Sequence, residues 1–308
     1  MTNVIVALLP VFLVILLGAG LRRFGIVNEE QWRAVDLVAY WVLFPALIFK
    51  EIAAADFSNV PVLAMAAAMM LAVIVMSAGL LVARPALYGA LGMGGPTYAS
   101  LFQGATRWHT FIALAIIPVL MGPKALALGA VGAAAMTPLL NIINAWVHAH
   151  YAQPERLDAR KLLWSLITNP FVFSSLGGVA WQVLGLPLPW PAYDVLDIVG
   201  KAALGLALLG VGAGLRLETM RDGRAPLALA VVLRLAVMPL LMVLFVKLFG
   251  VTGDAATVAI LCGSVPTGSG AYVLARQMGG DAPLMATILT VQVAVAAVTL
   301  PLVLWFFT

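Results

Sequence analysis

Apolar runs of about 20 residues follow one another along almost the whole chain. They lie near 4–23, 33–52, 60–83, 97–120, 124–149, 161–184, 193–216, 225–248, 255–277 and 283–307. As a helix, each is long enough to cross roughly 30 Å of hydrocarbon. The spans are continuous and do not alternate with period two, so they predict helices and exclude a barrel. Between them stand turn and polar signals: Arg22-Arg23 to Glu29-Glu30, Asp56-Phe57-Ser58-Asn59, Gly92 to Pro96, Gly122-Pro123-Lys124 and Leu186 to Pro189. A chain that is 63% hydrophobic and 10% charged has no polar surface sufficient for a soluble domain of 308 residues. The expected class is an all-α polytopic membrane protein with the lipid bilayer as its surroundings.

Charge sets the expected orientation. With the N-terminus outside, the inner loops collect eleven bases: Arg22, Arg23, Arg33, Arg84, Arg156, Arg160, Lys161, Arg216, Arg221, Arg224 and Arg276. The outer loops collect three, Lys50, Lys124 and Lys247. That bias follows the positive-inside rule and puts both termini outside. Arg107, Lys201 and Arg234 remain, within or near spans. Net charge is +4, but the bases are scattered over short loops without interleaved aromatics, so nucleic acid is not an expected partner. Met1-Thr2-Asn3-Val4 has no basic region, so the first run is read as a retained span. The single cysteine, Cys262, excludes an intrachain disulfide and a cysteine-based metal site. No Walker A pattern, nucleophile triad or metal-ligand cluster stands out. Neither an enzyme nor a cofactor is expected.

Two spans are interrupted. Gln103-Gly104-Ala105-Thr106-Arg107-Trp108-His109-Thr110 places an arginine and a histidine at membrane depth, where charge is costly and marks a functional site by default. About 160 residues later, Gly263-Ser264-Val265-Pro266-Thr267-Gly268-Ser269-Gly270 breaks a second span. Paired breaks in corresponding spans point to a transporter binding site. Other features recur in order: Pro10 and Pro170, each followed by a glycine pair; Val35-Asp36-Leu37-Val38 and Leu196-Asp197-Ile198-Val199; Pro138 and Pro301. Five spans per half is odd, so the halves are inverted. The expected units are residues 1–152, a linker at 153–160, and residues 161–308.

Unwinding at both breaks would aim two half-helix N-termini at one small volume. Thr106 and Thr110 are suited to cap the first half-helix, and Thr267 and Ser269 the second. Pro266 removes a backbone donor, and Gly268 lets backbone approach a ligand. Arg107 adds a guanidinium fork that matches a carboxylate, so the expected ligand is a small organic anion. The plainer reading of Arg107 is a counter-ion to Asp36 or Asp197, and that of His109 is a hydrogen bond inside the bundle. Asn141, Asn144 and Gln292 line the cavity or bridge helices. Asp197 and Lys201, four residues apart, share a helix face as a structural pair or a proton-coupling group. His148 and His150 have no specific role.

These residues carry a family resemblance over nearly the whole length. Leu43-Phe44-Pro45-Ala46-Leu47, Phe102 to Phe111, Pro138-Leu139-Leu140-Asn141, Asn169-Pro170, Ala207 to Gly212 and the Pro266 region resemble the auxin efflux carrier family in its bacterial, malonate-permease-like branch. The resemblance implies about ten transmembrane helices in two inverted five-helix repeats, like the bile-acid/sodium symporter and sodium/proton antiporter fold. Discontinuous helices four and nine would cross at the substrate site, and one bundle would move against the other as an elevator. Two departures stand out: His109 where bacterial relatives carry asparagine, and no long hydrophilic loop of the plant kind. The expected function is secondary active transport of a carboxylate across a bacterial inner membrane. The expected site is Thr106, Arg107, His109, Thr110, Asn141, Pro266, Thr267, Gly268 and Ser269. Coupling to protons or sodium, sodium symport through the carbonyls of 264–268, a non-transporting sensor and a homodimer stay open as alternatives.

Overall fold

The computed structural model describes residues 2–55, 61–152, 164, 168–215 and 224–307. All regular structure among them is helical. The turn at 56–59, the linker at 153–160 and the loop bases Arg156, Arg160, Lys161, Arg216 and Arg221 lie outside the described residues.

The first helix, α1, is Thr2–Arg23, and α2 is Glu29–Val38. Asn28 starts α2 with a reciprocal capping box, its Oδ1 accepting from Gln31 N at 2.9 Å while Gln31 Oε1 accepts from Asn28 N at 2.8 Å. A π turn, Ala39–Leu43, joins α2 to α3, Phe44–Ala53. A second π turn, Leu233–Val237, joins α10, Arg224–Val232, to α11, Met238–Leu248. Each π turn lies just ahead of a proline, Pro45 or Pro239. Proline has no N–H and its ring clashes with the carbonyl four residues back. One widened turn absorbs that clash without ending the helix.

The remaining helices are α4, Val62–Leu91; α5, Gly95–Thr106; α6, Thr110–Met121; α7, Leu126–Tyr151; α8, Pro170–Val183; α9, Ala192–Ala213; α12, Gly253–Ser264; α13, Gly270–Gln277; and α14, Ala282–Phe307. Asn169 caps α8, its side chain accepting from Phe171 N at 2.9 Å, with Pro170 as the first helical residue. Among the described residues six helical runs have the length and hydropathy to cross a membrane: Val62–Leu91, Gly95–Met121, Pro123–Tyr151, Ala192–Ala213, Ala225–Leu248 and Ala282–Phe307. Large apolar side chains face outward in rows, as Leu9, Leu13, Leu16 and Leu17 do on α1. In water such a surface would aggregate; in hydrocarbon it is matched to its solvent. The molecule is a multi-pass membrane protein.

The helices sort into two groups by their packing. α1, α2–α3, α8 and α9 pack chiefly on one another and form a panel. α4, α5, α7, α10–α11, α12 and α14 form a body, and α6 and α7 lie against the panel. Glycine sets the closest approach inside the panel. A Cβ on Gly212 would come within 1.8 Å of the Ile15 carbonyl oxygen, and one on Gly18 within 2.0 Å of the Leu209 carbonyl oxygen. α1 and α9 therefore touch backbone to backbone, the small-residue packing that membranes favour where burial from water gives no drive. Polar bolts close the panel at both ends. Arg22 Nη1 donates to the Ala213 carbonyl at 2.7 Å. At the other end Lys50 Nζ lies 2.8 Å from both Asp197 Oδ1 and Glu51 Oε1, and Lys201 pairs with Asp197.

Candidate functional site

Polar side chains in the body converge on the two interruptions. α5 ends at Thr106, and Arg107 leaves it in extended backbone with φ −73° and ψ 140°. α12 ends at Ser264, and Val265 leaves it almost identically, with φ −70° and ψ 152°. The second break has a local cause. Val265 precedes Pro266, whose ring pushes the residue before it out of the helical region. Pro266 also cannot donate to the Cys262 carbonyl, and that oxygen accepts instead from Arg234 Nη2 at 3.0 Å.

The first break contains no proline. Continued as a helix, it would fill the Gly104 carbonyl from Trp108 N–H and the Thr106 carbonyl from Thr110 N–H. Both oxygens are taken by side chains from the second half of the chain. Thr267 Oγ1 donates to Gly104 O at 2.7 Å and Gln292 Nε2 donates to it at 2.8 Å. Arg234 Nη1 reaches Thr106 O at 3.4 Å. Gln292 also accepts from Thr267 N at 2.8 Å through Oε1 and donates to Ala230 O at 3.1 Å. One glutamine on α14 thus ties both breaks. They touch directly as well: a Cβ on Gly268 would lie 2.7 Å from the Trp108 carbonyl oxygen.

Arg107 sits partly buried at this crossing. With the Gln103 amide turned so that both its groups are satisfied, its oxygen accepts from Arg107 Nη1 at 3.2 Å and its nitrogen donates to Ala271 O at 3.3 Å. Among the described residues no carboxylate pairs with Arg107. The counter-ion reading fails at both of its candidates. Asp197 is held by Lys50 and Lys201, and Asp36 lies against α9 at Gly210. His109 is 2% exposed, and its Nδ1 has no hydrogen-bond partner among the described residues. It lines, with Ser269, Val211, Gly214 and Leu289, a cavity of about 20 Å³ between the crossing and the panel. That is room for one water-sized group.

Several expected roles change. Thr106 does not cap α6: its hydroxyl donates back to Phe102 O at 2.9 Å and lies 3.3 Å from Asn144 Oδ1. The cap position is His109, with no side-chain bond, and Thr110 is the first helical residue. Ser269 holds the cap position of α13, also without a side-chain bond, and Thr267 is turned to Gly104. Neither half-helix start has a side-chain cap, and at α13 the Ala271 and Tyr272 N–H groups donate to the Gly268 and Ser269 carbonyls at 2.9 and 3.1 Å. Asn141 is partly buried and bonded to neither break; Asn144, on the same face, is the residue that meets Thr106. Asp197 and Lys201 form their pair, but Asp197 is fourteen residues from Val211 along α9, about 21 Å from the cavity. His148 is fully buried, its Nδ1 2.9 Å from the Asn144 carbonyl, so it is a structural part of this helix rather than an idle surface residue.

Arg234 is the residue that sequence reasoning left without a role. Its side chain is fully buried, and it reaches both breaks. The available signal was its charge inside an otherwise apolar run, the same signal that marked Arg107. Nothing in the sequence named the carbonyls it meets.

A family profile described as membrane transport protein matches residues 3–304. A protein of Methanothermobacter thermautotrophicus named an uncharacterized transporter is 25% identical over 300 residues, 96% of this chain and 95% of its own. A Rhizobium meliloti protein named "Putative malonate transporter" is 30% identical over 195 residues, 58% of this chain and 61% of its own. Auxin efflux carrier component 1 of Arabidopsis thaliana is 26% identical over 177 residues, 54% of this chain and 28% of its own. The match runs through both breaks and nearly end to end: the chain belongs to the membrane transport protein family that includes the auxin efflux carriers.

Proposed function

We propose that this protein is a secondary carrier of a small organic anion, a carboxylate, working by elevator-type alternating access across a bacterial inner membrane. The observation that carries this reading is Arg107: among the described residues its guanidinium has no carboxylate partner, and it lies at the crossing of two broken helices whose half-helix starts carry no side-chain cap. A partly buried cation in that setting is complementary to an anion, and its fork suits a carboxylate. The name of the Rhizobium relative makes malonate the first probe.

Two inverted five-helix repeats, residues 1–152 and 161–308 joined through 153–160, are the architecture we assign. In support, α5 and α12 are both 12 residues long and end 158 residues apart. α7 and α14 are both 26 residues long. The panel is bolted at both ends and meets the body near the small His109 cavity, which suits it to be the part against which the body slides. In this reading Thr106, His109, Thr110, Pro266, Thr267, Gly268 and Ser269 shape the site around Arg107. Asn141 is reached only on opening, and the Asp197–Lys201 pair steadies the panel. Both termini lie outside.

Uptake of labelled malonate and longer dicarboxylates into proteoliposomes tests this. The expected result is flux in the wild type that falls at least ~100-fold in Arg107→Ala, about 2.7 kcal/mol of lost stabilisation, with partial recovery in Arg107→Lys. Equal flux in wild type and Arg107→Ala would remove Arg107 from the site.

A further inference from the structure

Arg234 has a setting that the anion site does not account for. Its guanidinium is fully enclosed and meets three backbone carbonyls: Val265 O from Nε at 2.8 Å, Cys262 O from Nη2 at 3.0 Å and Thr106 O from Nη1 at 3.4 Å. All three belong to the C-terminal ends of the half-helices α5 and α12, where unpaired carbonyls gather partial negative charge. In broken-helix carriers such carbonyl ends are the groups that coordinate a coupling cation. Among the described residues no carboxylate pairs with Arg234. Among the described residues its hydrogen-bond partners are carbonyls alone.

Its placement is built into the helix. Arg234 is the second residue of the π turn Leu233–Val237, five residues ahead of Pro239. The Cys262 carbonyl is vacant because Pro266 has no N–H to give it. One proline frees an acceptor, another accompanies the widened turn that carries the donor, and the two meet at the crossing.

We propose that Arg234 is a tethered cation standing where an exchangeable sodium ion would otherwise be held, so that this protein binds no sodium at the crossing. The consequence for transport rests on the carrier reading above: flux would be indifferent to a sodium gradient. The cation measurement itself requires no substrate. Full-length protein in detergent would be unfolded thermally in sodium chloride and in choline chloride at equal ionic strength, with tryptophan fluorescence as readout. The wild type is expected to unfold at the same temperature in both, and Arg234→Lys, which keeps a tethered charge, to do likewise. Arg234→Ala exposes three unpaired carbonyls and is expected to gain a saturable stabilisation by sodium or by methylguanidinium that choline does not give. A saturable, sodium-specific rise in the wild type would overturn the proposal, and it decides the matter even where Arg234→Ala does not fold. A folded Arg234→Ala protein with equal unfolding temperatures in sodium, methylguanidinium and choline would overturn it as well. Absence of dicarboxylate flux would instead strike the anion reading and leave this one standing.

Discussion

The two interrupted helices end in nearly the same backbone conformation for different reasons. At the second break the sequence does it locally: Pro266 withholds a donor and forces Val265 into extended backbone. At the first, Arg107 to His109 contains no residue that must break a helix. The interruption there is held from outside, because Thr267, Gln292 and Arg234 take the Gly104 and Thr106 carbonyls that the next turn would have used. The second break is therefore a property of its own sequence, and the first is a property of the packed molecule. A break that depends on remote side chains can respond when those side chains move, which is what a site serving two conformations requires.

Removing the tie common to both breaks is expected to have the largest effect. Gln292→Leu deletes the acceptor for Thr267 N–H and the donors to Gly104 O and Ala230 O, all of them buried. At ~1 kcal/mol per group lost, destabilisation of about 2–4 kcal/mol is expected in denaturant unfolding in detergent. Hydrogen exchange would show the loss concentrated at 104–109, the break without its own proline. Equal change at both breaks, or none, would argue against external support of the first.

Pro266→Ala acts on the other side of the comparison. The new N–H can bond the Cys262 carbonyl and carry α12 on by part of a turn, competing with Arg234. Stability is expected to change by less than about 1 kcal/mol, because a gained helix bond offsets the disturbed guanidinium. Transport is expected to fall about tenfold, or ~1.4 kcal/mol of barrier. Exchange should slow at 266–268 and stay unchanged at 107–109. If the first break also closes, the two are mechanically one unit and the distinction drawn above is wrong.

How far the sequence can be read follows the same division. Features with local causes were legible: apolar runs as helices, Pro266 as a break, Asp197 and Lys201 as one face. The helix start at Asn169-Pro170 was missed, because it lies inside an apolar run that reads as one span over 161–184. The anomaly of Arg107 and His109 was visible because charge at membrane depth is expensive wherever it packs. The cause of their break was not visible, since it lies in Thr267, Gln292 and Arg234, between 125 and 188 residues away along the chain. The capping roles assigned to Thr106 and Thr267 failed for a related reason. A hydroxyl beside a break can bond its own helix end, a preceding turn or a foreign carbonyl, and only packing selects among them. The π turns were hidden too, because a proline in a span equally suits a kink.

The smallest expected effect is the most discriminating. Thr267→Val keeps shape and removes only the hydroxyl that donates to Gly104 O, an oxygen that Gln292 Nε2 also fills. With one of two donors left, the cost should be near the membrane average of about 0.6 kcal/mol. Combined with Gln292→Leu, the second donor is gone and the Gly104 carbonyl is left buried and bare. The double variant should then lose about 1–2 kcal/mol more than the sum of the single changes. Additive losses would mean that the Gly104 carbonyl finds a donor in its own chain once both foreign ones are removed. The nearest is Trp108 N–H, and the first break would then close into a continuous helix. That outcome would identify the Thr267–Gln292 pair as what holds α5 and α6 apart. Non-additivity would show instead that the Gly104 carbonyl stays bare, with Arg234 on the Thr106 carbonyl still keeping the first break open from outside.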